Sequence, residues 1–341
     1  LADSDDGEQL SATVKFPDGV GSFPVSAPGF TKAVSGSDVI YTLTARSVAD
    51  AKSYLKALVF TPVQNRIPLG ETETTVFTVT ATDQSSASGS ATVSLAVSPV
   101  NDAPRIVGSL PTSVNDNAVA SIFSAVTVED DDKVRVGGNV VSQSVTLNVT
   151  WSTDTGAGTM LLPSGTTFPI TDTPAAATTK LQGVQFQPVA NRQPVGQTES
   201  FALTLTVTDA AGLSAAQNGE RTFSIASVND APTLSVSASP ASFKDTQTVM
   251  PFRAVITDPD VGESFTLTLQ PVSDPGFTYG VLEPASPSLG GDAAAVQNAL
   301  RGVGYRPTPN KANNTAVTFQ ATVADAQGAT ASGTITLTIQ S

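Results

Sequence analysis

Three runs of the chain alternate apolar and polar residues with a period of two and end on an aspartate, over 76–83, 202–209 and 317–325. A period of two sends successive side chains to opposite faces, so each run predicts a half-buried β-strand entering a turn. A last strand follows each turn, over 91–97, 221–226 and 333–339. Before each run stands an aromatic-x-Pro strand: Phe60-Thr61-Pro62, Phe186-Gln187-Pro188 and Tyr305-Arg306-Pro307. Asn65-Arg66, Asn191-Arg192 and Asn310-Lys311 follow these strands. Most of these landmarks keep one constant offset between the first two copies, which marks an internal repeat.

Asn101-Asp102-Ala103-Pro104 and Asn229-Asp230-Ala231-Pro232 stand between the copies. Proline fixes its own φ and holds the preceding residue extended, which suits a joint between domains. The units are 1–100, 101–228 and 229–341. The acidic turn from Ala2 to Glu8 matches the turn from Thr257 to Glu263. In the third unit, enough chain for two strands separates the joint from this turn. Unit one has no such segment, so the expectation is a repeat lacking its first two strands. The preferred reading is a proteolytic or other artificial boundary; the alternative is that its unpaired edges accept a strand donated by another copy of the protein. About seven strands per unit, parted by Gly, Pro, Ser and Asp turns, predict an all-β fold of tandem Greek-key β-sandwich domains in an elongated array. Ala-rich stretches at 48–57, 175–181 and 293–300 predict one short helical turn per unit. Residues 152–180, rich in Thr, Gly and Pro, are read as the insertion that enlarges unit two.

Composition narrows the function. Only 14% of the 341 residues are charged, and 30 acidic against 17 basic side chains give a net charge of −13. Phosphate binding requires a basic face, so nucleic acid and anionic membrane surfaces are disfavoured as partners, and cations are favoured. The chain has no Cys and no His, which removes disulfides, thiolate nucleophiles, the usual zinc ligands and every His-based triad. No apolar run is long enough to cross a membrane as a helix. A hydrolytic carboxylate pair would be unique and set in a cleft, whereas these acids recur with the repeat, which argues against an enzyme.

The acids fall at the ends of the predicted sandwiches. Glu73 and Glu199 precede the sixth strand and reach the C-terminal pole of their units. Asp83, Asp209 and Asp325 end that strand at the opposite pole. The early turn at that same pole carries Glu129 with Asp131 in unit two, Asp258 with Asp260 in unit three, and Asp3 with Asp5 in unit one. At the first joint, Glu73, Asn101 and Asp102 should face Glu129, Asp131 and Asp209. At the second, Glu199, Asn229 and Asp230 should face Asp258, Asp260 and Asp325. Clustered carboxylates repel unless a cation neutralises them, and Ca²⁺ takes six to eight oxygens in flexible geometry. Turn chemistry alone also places Asp and Asn at such positions. Asp6, Glu8, Asp130 and Asp132 are read as solvated neighbours or as groups that support the ligands without binding the ion. The absence of any acid over 308–324 predicts no calcium at the C-terminal pole of unit three.

The Asn-Asp-Ala-Pro joints, the Asp-x-Asp turn and the late Asp-x-x-Gly turn together resemble the cadherin-like repeats of large bacterial surface proteins and adhesins. The stretch from Leu58 through Thr82-Asp83 is especially similar to them. The resemblance implies an extracellular, cell-surface or secreted, calcium-dependent stalk, with neighbouring repeats and a host or surface ligand as partners. Glu129 departs from that pattern, which has Asp at its place. A different reading is a carbohydrate- or protein-binding module acting through 152–180. Trp151 is read as packing, and the sequons at Asn148 and Asn313 are too short a motif to decide anything.

Overall fold

The computed structural model describes residues 7–24, 29–151, 155–311 and 313–341. Its strands fall into three successive groups, each with its own core. In the second group a five-stranded sheet runs in the order Ile170–Asp172, Val145–Trp151, Thr198–Asp209, Gly219–Ala226, Ser113–Asn115. Facing it are the antiparallel pairs Arg105–Val107 with Thr127–Glu129 and Gly158–Leu161 with Gln185–Pro188, linked by a bridge from Ala120 to Phe186. The third group repeats this plan. Its five-stranded sheet is Ser242–Lys244, Thr330–Gln340, Thr315–Ala324, Phe265–Pro271 and Ser288–Gly291, and Val249 bridges to Tyr305. In both sheets the first short strand lies parallel to the last long one, while every other pairing is antiparallel. The fold is all-β, a tandem series of two-sheet sandwiches.

The alternation reads directly as burial. Along Thr198–Asp209, Phe201, Leu203, Leu205 and Val207 point inward, and along Thr315–Ala324, Val317, Phe319, Ala321 and Val323 do so. The larger of these side chains, Ala321 apart, each contribute roughly 1.5–3 kcal/mol by leaving water. The aromatic of each aromatic-x-Pro strand lies over a glycine of the strand paired with it. A Cβ on Gly158 would stand 2.4 Å from the Phe186 ring, and one on Gly280 would stand 2.5 Å from the Tyr305 hydroxyl. Only a residue without a side chain fits beneath these rings. The Asn that follows has φ of 51° at Asn65, 58° at Asn191 and 59° at Asn310, the left-handed conformation that asparagine tolerates well. One helix per group lies where the Ala-rich stretches predict it: Val48–Lys56, Pro174–Gln182 and Ala293–Arg301. Ser47 and Asp292 cap the first and third through their side chains.

Unit one differs in two ways. Its sheet runs Phe30–Ser35, Asp38–Ser47, Gln9–Pro17, Glu73–Thr82, Ser88–Val97, so an extra strand flanks one edge and the last strand is the other edge. Among the described residues the second sheet consists of Gly21–Ser22 paired with Thr61–Pro62. Its core is correspondingly divided into two small clusters, and Ser88–Val97 is exposed almost throughout.

The extra length of unit two is not at 152–180. That stretch and its counterpart in unit three span nearly the same number of residues between equivalent strands. The additional residues form a hairpin, Lys133–Val136 with Asn139–Ser142, at the place where unit three has only Val261 and Gly262.

Candidate metal centres at the two joints

Both linkers are held by the same contacts. At the first joint the Asn101 side-chain amide donates to Asp209 Oδ2 (2.7 Å), and the Asp102 backbone N–H donates to Asp132 Oδ2 (2.7 Å). At the second, Asn229 donates to Asp325 Oδ2 (3.0 Å) and the Asp230 N–H to Asp260 Oδ2 (2.8 Å). The Asp132 N–H in turn binds Asp130 Oδ1, and the Asp260 N–H binds Asp258 Oδ1, each at 2.9 Å. The late turn uses the other oxygen of its aspartate: Asp209 Oδ1 accepts from Leu213 N, and Asp325 Oδ1 from Ala329 N, both at 2.8 Å. One oxygen therefore performs ordinary turn capping while its partner reaches the linker.

These contacts correct the residue set of the first joint. Asp130 and Asp132 face it, not Glu129 and Asp131. The strand Thr127–Glu129 ends on Glu129 as Phe252–Thr257 ends on Thr257, so Asp130 is the counterpart of Asp258. Glu129 and Asp131 point to the outside, where both bind the Arg105 guanidinium at 3.0 Å. Val128 and Ile256, both 3% exposed, are the matching inward positions of the two strands.

Glu73 and Glu199 stand at the C-terminal poles but are already neutralised. Arg66 forms an ion pair with Glu73, and Arg192 with Glu199 at 3.1 Å, so the Asn-Arg motif supplies their partner. Asp83 caps its own turn through Ala87 N and the Ser85 hydroxyl and faces neither joint. Asp3 and Asp5 lie outside the described residues.

Two further groups belong to the second joint and escaped the sequence reading. Asp116 follows the short parallel strand of unit two and is 4% exposed. It accepts from Asn191 N (2.9 Å) and Val228 N (3.1 Å), and the Asn191 side chain reaches Asp230 Oδ2 at 3.2 Å. Glu263 stands where unit two has Gln143, which donates to Asn101 Oδ1 at 3.0 Å. Unit three has the equivalent of Asp116 in Asp245, 6% exposed and bound by Asn310 N at 2.7 Å. Its C-terminal pole thus does hold an acid, contributed from outside the 308–324 stretch.

The electrostatics are strained. Asp130 and Asp132 are pushed above the usual carboxylate range, by burial first and then by neighbouring aspartates. Asp258 and Asp260 are raised likewise, Asp258 by burial and by the charges of Glu263, Asp325 and Asp230, and Asp260 by burial and by Asp258, Asp230 and Asp116. Asp325, which burial would raise, is held low by the Asn229 amide and backbone N–H groups.

Several buried oxygens in these clusters accept no hydrogen bond: Asp130 Oδ2 and Gln143 Oε1 at the first joint, and Asp258 Oδ2, Asp260 Oδ1, Asn229 Oδ1 and Asn191 Oδ1 at the second. Asp130 is 9% and Asp260 7% exposed. A buried polar atom left unpaired costs about 1–3 kcal/mol, and a charged one more. Among the described residues no three acidic side chains converge tightly enough to cage an ion by themselves. Amide oxygens would therefore share the coordination, and the orphaned atoms supply them. All are hard oxygens, which fits Ca²⁺ and not a metal that seeks nitrogen or sulfur.

The raised values have a consequence for metal-depleted protein. Unfolded aspartate ionises near 3.9, whereas these four bind protons more tightly in the folded chain. The folded state therefore takes up more protons between the two ranges, and metal-free stability rises as pH falls through the folded values toward 3.9. In metal-depleted buffer the melting temperature at pH 5 should exceed that at pH 7.5. A lower value at pH 5 would contradict the assignment.

The joints also differ in a contact unrelated to any ion. The hairpin of unit two reaches back onto unit one, where the Leu69 N–H donates to Lys133 O at 2.7 Å. Arg135 clasps Glu71 through Nε (2.6 Å) and Nη2 (3.2 Å), and this hydrogen bond holds the Glu71 carboxyl below its ordinary range.

No protein-family model matches the chain, and no curated protein matches it. Among solved structures it is similar to extracellular cadherin domains 3–6 of protocadherin gamma B2, with 16% identity over 97% of this chain and 68% of that one and a TM-score of 0.34. It is similar to domains EC1–4 of Drosophila N-cadherin at 13% identity, covering 100% of this chain and 69% of that one, with a TM-score of 0.25. An I-band fragment of titin, I67–I69, matches at 9% identity over 99% and 89% of the two chains, with a TM-score of 0.27. Similarity at this level carries nothing about function, which rests on the geometry of the joints.

Proposed function

We propose that this chain is an extracellular, calcium-stiffened repeat region, the stalk of a bacterial surface adhesin or filament. The observation that carries this reading is the set of buried, unpaired oxygens beside each Asn-Asp linker, contributed by unit two at the first joint and by units two and three at the second. Asp130, Asp132, Asp209, Asn101 and Asp102 would hold calcium at the first joint. Asp258, Asp260, Asp325, Asn229, Asp230 and Asn191 would do so at the second, with Asp116 and Glu263 adjoining. Bound Ca²⁺ neutralises these carboxylates; at the second joint it ties residues of units two and three to the linker between them, and at the first it ties the linker to unit two. Small interfaces between domains in one chain otherwise bend freely, so the ion converts a flexible string into a rod. The acids recur with the repeat, which favours a structural role over a catalytic one.

Small-angle scattering tests this directly. In millimolar calcium the particle should show its greatest maximum dimension, and chelation should shorten it and broaden its distance distribution. An unchanged profile would mean that the acids are ordinary turn residues.

A further inference from the structure

In units two and three, a short early strand lies parallel to the last strand and carries one sequence pattern. It is Pro111-Thr112-Ser113-Val114-Asn115-Asp116 in unit two and Pro240-Ala241-Ser242-Phe243-Lys244-Asp245 in unit three, that is, Pro-x-Ser-apolar-x-Asp. The bonds that flank the pairing are the same in both. Ser224 N donates to Thr112 O (3.0 Å) and Asp116 N to Ala226 O (3.0 Å); Thr338 N donates to Ala241 O and Asp245 N to Gln340 O, each at 2.8 Å. The closing carboxylate takes the backbone N–H of the left-handed Asn, from Asn191 to Asp116 Oδ2 at 2.9 Å and from Asn310 to Asp245 Oδ2 at 2.7 Å. In unit two its other oxygen, Oδ1, accepts from Val228 N of the linker that follows, at 3.1 Å.

The direction of these strands decides how they respond to tension along the chain. The chain enters unit two at the pole where Asn101 meets Asp209 and leaves it at the opposite pole, where Val228 meets Asp116. Ser113–Asn115 and Gly219–Ala226 are parallel, so both run from the first pole toward the second. A pull on the two linkers draws the short strand by its leading end toward one pole and the last strand by its trailing end toward the other. The strands must then slide past each other lengthwise. The ladder bonds, which lie across the strands, share that load and have to fail together, whereas a pair peeled from one end loses its bonds one at a time. Asp116, 4% exposed, adds a second tie. Its two oxygens fix the trailing end of the short strand to the Asn191 loop and to the linker through which the pull arrives. Hydrogen bonds to a charged group are roughly twice as strong as neutral ones.

We infer that the parallel strand and its aspartate form a mechanical clamp, a device that keeps the sandwich folded while the chain is under tension. The same contacts also close a sheet edge, and edge closure alone would explain a loss of thermal stability on their removal. The clamp makes a further demand, on rates. Deleting a contact that is already broken in the transition state raises the unfolding rate, whereas deleting one still intact there leaves that rate alone and shows only in the equilibrium. Forced unfolding is governed by the unfolding rate. Under tension the first event is the sliding of the short strand, with the core beneath it still packed. Asp116 then belongs to the first class. A core residue such as Leu203, fully buried on Thr198–Asp209, belongs to the second. That a stalk meets such tension rests on the proposed function; the clamp itself needs neither calcium nor a particular setting.

The test is force-clamp spectroscopy of the 341-residue chain, held by tags at its two ends, in metal-depleted buffer and again in calcium. Unit two is recognised by its longer extension on unfolding, since 113–226 holds more residues than 242–340. Asp116→Ala should raise its unfolding rate at a fixed force at least about tenfold. Leu203→Ala opens a cavity and should lower the melting temperature by more, yet it should leave that rate within about twofold of the parent's. The rate of unit three, read in the same molecules, should change with neither substitution. If Asp116→Ala fails to fold, Asp245→Ala against Leu267→Ala makes the same comparison in unit three. Rates that follow the lost thermal stability in both variants, or an Asp116→Ala rate equal to the parent's, would overturn the clamp. The two buffers separate it from the calcium reading. The same ranking in chelator supports the clamp even where scattering finds no effect of calcium. A ranking that emerges only in calcium would make Asp116 an ion ligand alone and would also overturn it.

Discussion

A protein carrying Asp258→Asn and Asp260→Asn should no longer gain melting temperature from calcium at the second joint. An ion present at about 100 times its dissociation constant stabilises a fold by about 2.7 kcal/mol, which corresponds to roughly 10–20 °C for a domain of about 100 residues. The two substitutions remove the orphaned oxygens of Asp258 and Asp260 as anionic ligands while leaving a carbonyl oxygen to cap the backbone. The same variant should behave oppositely without metal. Asp260 is buried and Asp258 half-buried, both are raised by desolvation, and Asp230, Glu263 and Asp325 stand around them, so neutral side chains relieve a repulsion. The double variant should therefore melt higher than the parent protein in chelator and lower in calcium. A variant that melts below the parent in both buffers would show that these aspartates act only as turn caps. Differential scanning calorimetry in the two buffers makes the distinction.

The second large effect is a difference between the joints. Removing calcium should disorder the second joint much more than the first. Unit two grips unit one through its hairpin, by the backbone bond from Leu69 to Lys133 and the two-pronged contact of Arg135 with Glu71. Unit three has no such hairpin, and the loop from Asp260 to Glu263 is too short to reach unit two. An exposed ion pair and a single hydrogen bond each contribute little net free energy. These are small for folding but sufficient to favour one orientation of a linker over others. The chain has no cysteine, so pairs of introduced cysteines can carry spin labels across each joint without side reactions. In chelator the distance distribution across the second joint should broaden while that across the first stays narrow. Replacing residues 133–142 with the Val-Gly of unit three should make both joints broaden alike. Equal broadening in the parent protein would remove the hairpin from any role in alignment.

Much of the fold was legible because it depends on local rules. The period-two runs ending at Asp83, Asp209 and Asp325 became the central strands, and the Ala-rich stretches became the helices. The two joints were also legible, since Asn101-Asp102 and Asn229-Asp230 repeat with their prolines. What failed was register and partnership. Counting acids from the start of the turn chose Glu129 and Asp131, although the inward positions Val128 and Ile256 fix Asp130 as the residue that turns toward the linker. Glu73 and Glu199 looked like free charges because Arg66 and Arg192, seven positions upstream, meet them only after the chain folds back. Asp116 and Asp245 lie far in sequence from the joints they approach and belong to a parallel pairing, which leaves no local signature. Their shared pattern with Pro111 and Pro240 becomes visible only once the pairing is known. The hairpin 133–142 was missed because residues 152–180 have the composition of a loop, whereas length alone, compared between equivalent strands, locates the insertion.

Isothermal titration of metal-depleted protein with Ca²⁺, beside the Asp258→Asn/Asp260→Asn variant, tests the central claim most directly. The account predicts saturable binding by the parent chain and loss of the second-joint component in the variant, with the first-joint component retained. No binding by the parent, or an isotherm that the variant reproduces unchanged, would contradict calcium at the second joint and leave a sandwich array whose acids only shape its turns.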